Sequence, residues 1–142
     1  MIIRPVKAVV TLVPAAALAL SMGLVLSTSV RAQTNALYTD AQAQMGVDPY
    51  ENKCAMCHGA NMEGQSGPTL LGPTFTSHYE TVGDLMQFIV KNMPMDGPGN
   101  LSHDDYVDIL AFILLKNGWP SGSHALTFDD ANASKAQLLS TQ

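Results

Sequence analysis

The sequence predicts an all-α fold in which about three to four main helices are joined by long loops. Two helix starts are marked, one by Thr81 with Asp84 and one by Ser102 with Asp105, each an N-cap side chain with an acid three residues later. Apolar residues that follow Thr81 recur at the i, i+3, i+4 spacing of a helix face. The chain has no convincing strand alternation and no internal repeats.

The start of the chain has the pattern of an export signal. Arg4 and Lys7 precede an apolar run over residues 8–26, and a small-residue pattern ends at Ala32. A charged region, an apolar region and small residues before a cleavage point are typical of a secretory signal peptide. We therefore expect residues 1–32 to be removed on export to the periplasm. The alternative is an uncleaved membrane anchor, because the apolar run is long for a signal.

Residues 33–142 are expected to form one domain, with a core over 39–118 and a C-terminal extension over 119–142. This part has four lysines and twelve acidic residues, which give it a formal net charge of −8. Such an acidic surface argues against nucleic acid and anionic membranes as partners, and we expect no membrane span after cleavage of the signal. It favours docking to a protein of opposite charge.

The first helix of the domain is expected to be broken. Thr39 followed by Gln42 is a capping pattern, and Gly46 suits a helix end. A second start is predicted directly afterwards, with Asp48 as the N-cap and Pro49 at the first helical position.

Both cysteines of the chain lie in the run Cys54-Ala55-Met56-Cys57-His58. The C-x-x-C-H pattern is the attachment signal of haem c, in which two thiols bond to the haem vinyl groups and the following imidazole binds the iron. A thioredoxin-type disulfide would need alternating strands and helices around the motif, and a zinc site would need four ligands at recognisable spacings. Neither condition is met, so we predict one covalent haem c.

A loop and a further helix follow the motif. Residues 59–68 are rich in glycine and turn formers, and Leu70, Leu71 and Phe75 are expected to anchor the loop in the core. The helix that starts after Thr81 must end before Pro94, because proline disfavours helical geometry in the residue that precedes it.

The last and longest helix is expected to start at Ser102 and to close at residues 116–118. Its second half, residues 109–115, is apolar nearly all round, which indicates cover on two sides, by the haem and by the helix before Cys54. In the extension, a short helix is predicted near residues 135–139.

Met93 is the expected second ligand of the iron. It is fixed by the end of a helix and by the following proline, whereas Met95 enters a flexible glycine-containing turn. The alternative is a site with two histidines, for which His78 is the first choice over His103 and His124.

The stretch 39–118 resembles class I monohaem cytochromes c, particularly the small periplasmic ones associated with quinoprotein (PQQ) alcohol dehydrogenases. The matching positions lie before, in and after the haem motif: Gly46, Tyr50, residues 54–59, residues 67–70, Met93 with Pro94, residues 98–102 and residues 106–112. The resemblance implies that Gly46 and Tyr50 pack against the last helix near Phe112. It also implies that the Pro68 carbonyl accepts a hydrogen bond from His58, which would orient the imidazole.

These observations predict an exported electron carrier of the respiratory chain rather than an enzyme. With His58 and Met93 filling both axial positions, no coordination site is open to a substrate. By resemblance, the donor would be a periplasmic quinoprotein alcohol dehydrogenase and the acceptor another cytochrome or an oxidase. Two alternatives remain: a haem-based sensor or binding module for small ligands, and a non-catalytic cytochrome subunit of a dehydrogenase complex.

Overall fold

The computed structural model describes residues 36–138, and the predicted signal segment with its cleavage point at Ala32 lies outside them. The described residues form seven α helices, which confirms the all-α prediction. Their only β feature is an isolated antiparallel bridge between Thr81 and Gln137. None of these helices is both long and apolar enough to cross a bilayer. The helices are α1 (Asp40–Met45), α2 (Val47–Lys53), α3 (Ala55–His58), α4 (Gly72–Thr76), α5 (Val82–Asn92), α6 (His103–Lys116) and α7 (Phe128–Ala133).

The helix before the haem motif is broken as predicted, but the second part starts earlier than expected. Helix α2 begins at Val47 with Gly46 as its N-cap, so the prediction of Asp48 as the cap is wrong. The reason is that Gly46 keeps right-handed helical geometry (φ −72°, ψ −12°), so the backbone continues with only a short interruption. Pro49 has no N–H to give to the carbonyl four residues earlier, and it therefore weakens the ladder at this point without ending it.

Helix α6 lies at the centre of the core, in contact with α1, α2, α5 and α7. A Cβ atom at Gly46 would collide with the Asp108 carbonyl oxygen and would lie 2.9 Å from the Phe112 Cβ, so only glycine allows this close approach of the two helices. One turn further on, the ring of Tyr50 meets that of Phe112 edge to face, at 5.5 Å between centroids. These are the packing contacts that the resemblance implied.

Helices α5 and α6 start and end where the sequence predicts. The Thr81 side chain accepts from the Asp84 N–H (3.1 Å), and the Asp84 carboxylate accepts from the Thr81 N–H (2.9 Å), which completes a capping box. Helix α5 ends at Asn92, and Met93 is extended (φ −126°, ψ 151°). At the start of α6, Ser102 accepts from the Asp105 N–H (3.0 Å).

Helix α4 was not predicted from the sequence, which gave this stretch as loop. It starts after an extended Leu71 and has Pro73 in its first turn, a position where proline costs no hydrogen bond. The expected anchors do pack against the core: Phe75 is 6% exposed, and Leu70 and Leu71 are partly buried.

The prediction of a helix near residues 135–139 is wrong, and residue 139 lies outside the described part. The helix of this region is α7, whose N-cap Thr127 accepts from the Asp130 N–H (3.2 Å). Residues 134–138 are not helical because their backbone bonds to the start of α5 instead: the Val82 N–H donates to the Ala136 carbonyl, at 2.8 Å. Leu126 and other apolar residues of the extension are buried, so the extension contributes to the core.

Candidate haem-binding site

The short helix α3 presents the cysteine pair and the histidine to one cavity. Cys54 stands at its N-cap, and the N–H of His58 donates to the Cys54 carbonyl at 2.9 Å. The two cysteines are half-buried and are not joined by a disulfide. Burial, and to a smaller extent the neighbouring Cys57, raises the pKa of the Cys54 thiol to about 11.

His58 is held in one orientation by its second ring nitrogen. Its side chain is 8% exposed, and its Nδ1 lies 2.8 Å from the Pro68 carbonyl oxygen. A carbonyl only accepts, so Nδ1 carries a proton in this bond, and Nε2 is the ring nitrogen left to bind a metal. Gly67 allows the loop to approach, because a Cβ atom there would lie 3.0 Å from the His58 Cε1. A neutral, oriented imidazole of this kind is a good axial ligand.

The loop that carries Pro68 is fixed by backbone hydrogen bonds to α3. The Cys57 carbonyl accepts from Gln65 (3.1 Å) and from Gly67 (2.8 Å). The Tyr50 hydroxyl donates to the Gly59 carbonyl at 2.8 Å, and it ties α2 to the residue that follows the motif. The histidine side of the site is thus built from contacts that are close in sequence.

A cavity of about 490 Å³ opens in front of these residues. His58, Pro68, Ile89 and Met93 line it, and Ile109 lines it from α6. The lining is mostly apolar, and among the described residues none of the twelve acids contributes to it. A cavity of this size with a few converging polar groups is typical of a cofactor site. The donor set and the apolar walls fit a flat, covalently held haem.

The structure distinguishes the two methionines by how firmly each is held. The Met93 backbone is bonded on both sides: its N–H donates to the Ile89 carbonyl (2.8 Å), and its carbonyl accepts from the Tyr106 hydroxyl (2.9 Å). Met93 is half-buried, whereas Met95 is 80% exposed at the edge of the same cavity. Met93 as the axial ligand remains a prediction, and its fixed backbone supports it.

The histidines other than His58 differ in their access to the cavity. His78 is exposed and lines the cavity. His103 stacks on Phe128 with 3.7 Å between ring centroids, and His124 lies 2.9 Å from the Ser123 hydroxyl. Neither His103 nor His124 lines the cavity, so only His78 remains as a histidine alternative to Met93. Residues 36–138 contain no group of three or more His, Cys, Asp or Glu side chains suited to a metal ion.

Sequence reasoning placed residues 109–115 against the haem without saying which side chains face it, and it gave Tyr106 no role in the site. Ile109 and Ile113 line the cavity from α6, and Tyr106, one turn before Ile109, donates to the Met93 carbonyl. Their i, i+3, i+7 spacing marks one face of α6 and was available in the sequence. The nearly all-round apolar character of residues 109–115 masked that face.

Comparisons with known proteins agree with this geometry. The family model described as cytochrome c oxidase, cbb3-type, subunit III matches residues 41–113, a range that contains both Cys54 and Met93. Cytochrome c-551 of Bacillus subtilis (strain 168) is 32% identical over 75 residues, which cover 51% of this chain and 62% of that protein. A chain in the crystal structure of the sulfane dehydrogenase SoxCD from Paracoccus pantotrophus superimposes with a TM-score of 0.54 at 27% identity, over 68% of this chain and 52% of that one. The chain thus spans less than two thirds of the length of either relative.

Proposed function

The chain belongs to the class I monohaem cytochrome c family, whose members hold a covalent haem c. We propose that it is an electron carrier, which takes one electron from a periplasmic dehydrogenase and passes it to a downstream acceptor. One observation supports this proposal above the others. The buried His58, oriented by the Pro68 carbonyl, shares an apolar cavity with both cysteines and with the anchored Met93.

In this proposal each site residue has a defined task. Haem c supplies a reversible one-electron change between ferric and ferrous iron when it is bound. Cys54 and Cys57 would hold the porphyrin through thioether bonds, each from the addition of a thiol S–H across a vinyl double bond. His58 Nε2 and the Met93 thioether would hold the iron. A neutral imidazole and a soft thioether favour the ferrous state more than two imidazoles do.

The attachment is tested by extraction and by spectroscopy. The purified protein is denatured in acid and extracted with organic solvent, and the absorption spectrum of the reduced protein is recorded. We expect the colour to stay with the polypeptide and the spectrum to be that of a low-spin haem c. Colour that moves into the solvent would contradict the proposed roles of Cys54 and Cys57.

Carbon monoxide separates the electron carrier from a sensor of small ligands. In a carrier both axial positions are occupied, so we expect the reduced spectrum to stay unchanged under carbon monoxide. A rapid spectral change would show that the bond to Met93 yields to a gas, and it would favour the sensor.

Export is the second part of the proposal, with residues 1–32 as a cleaved signal peptide. The sequence supports it, because charged residues, an apolar run and small residues follow one another in the required order. N-terminal sequencing of the protein purified from the periplasmic fraction is expected to start at Gln33. A sequence that starts at Met1 in the membrane fraction would favour the retained anchor.

The donor is proposed to be a dehydrogenase, and two kinds are supported. The resemblance points to a quinoprotein alcohol dehydrogenase, and the similar solved chain belongs to a sulfane dehydrogenase. Stopped-flow reduction by each enzyme with its own substrate distinguishes them, because the true donor reduces the haem faster than the other.

The similarity to a chain of the sulfane dehydrogenase also supports a second candidate function, that of a cytochrome subunit of a dehydrogenase complex. For such a subunit we expect a larger protein to co-purify.

A further inference from the structure

One wall of the cavity is formed by residues 71–79, which comprise α4 and its two ends and which we call the wall segment. The side chains of this segment that line the cavity are those of Thr74, Phe75, His78 and Tyr79. Helix α4 makes no close backbone contact with any other helix in the described part of the chain. Packing of α4 directly on another helix is therefore not what holds this wall in place.

The side chain of Asn117, the C-cap of α6, is a polar link from α6 to the start of the wall segment. Its Oδ1 accepts from the Gly72 N–H at 2.8 Å. Its Nδ2 donates to the Leu70 carbonyl at 2.9 Å and to the Ile113 carbonyl at 2.8 Å. An N–H only donates and a carbonyl only accepts, so these three partners fix the orientation of the amide. Since Ile113 also lines the cavity, Asn117 joins two of its walls.

Among the described residues, no other hydrogen bond ties the wall segment to a distant part of the chain. The Leu71 N–H donates to the nearby Thr69 hydroxyl at 3.1 Å, and the other bonds of the segment lie within it. At the far end, the ring of Tyr79 packs against that of Phe88 in α5, at 5.4 Å between centroids. The near end, where the chain enters α4, therefore depends on Asn117.

The backbone at Gly72 suits a point about which the wall segment can turn. Its φ is +71°, which favours glycine, and a Cβ atom there would meet nothing within 4 Å. Leu71 before it is extended (φ −119°, ψ 147°). A part of a protein that is held by few contacts opens at a lower free energy than the whole fold. Loss of the Asn117 amide should therefore loosen the wall at Gly72 and leave α6 folded.

We propose that Asn117 is a positioning residue that closes the wall segment over the cavity and thereby keeps water away from the haem. The inference rests on the proposed haem site and on the proposed electron transfer. Solvent access and the local dielectric set the potential of a bound metal. Ferric iron carries one more positive charge than ferrous iron, and water stabilises the more highly charged state. Asn117 therefore favours the ferrous state, although its own side chain does not line the cavity.

The test is Asn117→Ala in the haem-loaded protein, with Asn132→Ala as the matched control. Both side chains are half-buried and donate at 2.8 Å to the carbonyl four residues earlier, but Asn132 belongs to α7 and makes no bond to the wall segment. Amide hydrogen exchange is followed at Ser77, whose N–H donates to the Pro73 carbonyl within the segment, and in the first half of α6. The midpoint potential of the same samples is measured by redox titration.

In Asn117→Ala we expect the Ser77 amide to exchange about fivefold faster, because the segment opens more often, while the first half of α6 keeps its wild-type rates. At the potential where half of the wild type is reduced, clearly less than half of this variant should be reduced. Asn132→Ala should match the wild type in both measurements.

Asn117→Asp is a second variant of the same size. Its carboxylate keeps an acceptor for the Gly72 N–H, but it loses both donors and places a negative charge beside two carbonyl oxygens. At neutral pH we expect it to change the Ser77 exchange rate and the potential in the same direction as Asn117→Ala.

A wild-type potential in both Asn117 variants would overturn the inference, even with faster exchange at Ser77, since the link would then be only structural. An equal change in Asn132→Ala, or faster exchange throughout α6, would overturn it as well, because the effect would be one of overall stability. Both variants should keep an unchanged reduced spectrum under carbon monoxide, since Met93 is held by Ile89 and Tyr106. A spectral change in the variants alone would show loss of Met93 rather than entry of water, and would also overturn the inference. Failure of the proposed function is seen separately, in the wild type, by solvent extraction and by its own response to carbon monoxide.

Discussion

The hydrogen bond from Tyr106 to the Met93 carbonyl gives a prediction with a calculable size. In Tyr106→Phe the ring stays in its buried position, and only the hydroxyl at 2.9 Å from the carbonyl is lost. A buried acceptor left without a donor costs about 1–3 kcal/mol. Met93 is half-buried, so water replaces part of the bond and the loss falls near the lower end, about 1 kcal/mol. For a domain of this size that lowers the melting temperature by about 4 °C.

The same bond holds the backbone of the proposed axial ligand, so the effect should reach the iron. A loss of about 1 kcal/mol at this point corresponds to a roughly fivefold larger population in which Met93 has left the metal. We expect a weaker far-red band from the thioether-to-iron bond in the ferric protein. We also expect carbon monoxide to change the spectrum of the ferrous variant, which it should not do in the wild type. Thermal unfolding followed by absorbance gives the stability of the same samples.

Tyr38→Phe is the control, because its hydroxyl also bonds a backbone carbonyl, that of Trp119, away from the cavity. It should lower the melting temperature without any change at the iron. If Tyr106→Phe loses stability but keeps the wild-type far-red band and an unchanged ferrous spectrum under carbon monoxide, the hydrogen bond does not support the ligand. The reasoning would then be refuted.

Three further predictions follow from single contacts. Met93→Ala should lower the midpoint potential and open the iron to added ligands, whereas Met95→Ala should leave these two properties nearly unchanged. If redox titration shows the lowered potential in Met95→Ala and not in Met93→Ala, Met95 is the ligand. Gly46→Ala should lower the free energy of unfolding by about 1–3 kcal/mol or more in denaturant unfolding, because its Cβ overlaps the backbone of α6. Gly97→Ala is the control and should have a smaller effect, because its Cβ meets mainly a movable side chain. Burial raises the pKa of the Asp108 carboxyl above its ordinary 3.8, so the folded state binds the carboxyl proton more tightly than the unfolded state does. Asp108 therefore lowers the stability once the pH is above its pKa in both states. Asp108→Asn should therefore raise the melting temperature at neutral pH, and this gain should disappear as the pH falls towards 3.8. An equal gain in melting temperature at every pH would contradict the raised pKa as its cause.

Local signals in the sequence were sufficient for much of the fold. The capping box of Thr81 and the cap at Ser102 depend on residues three positions apart, so the starts of α5 and α6 could be predicted. A pattern of the same kind, Thr127 with Asp130, marks the start of α7. The backbone bonds that keep residues 134–138 out of a helix join positions more than 50 apart in the chain, and no local pattern encodes them.

The site divides in the same way. The His58 side of the site depends on hydrogen bonds within ten residues of it. His58 Nδ1 donates to the Pro68 carbonyl, and the N–H groups of Gln65 and Gly67 donate to the Cys57 carbonyl. The Met93 side of the site depends on the hydrogen bond from Tyr106 of α6 to the Met93 carbonyl. The ring of Tyr106 lies 6.5 Å from that of Phe128 in the extension. A side built from nearby residues keeps its geometry when distant parts of the fold loosen, and a side built from separate helices does not. Changes in the extension should therefore weaken the methionine bond before they disturb the histidine, and the affinity of the iron for added ligands should respond before the covalent attachment does.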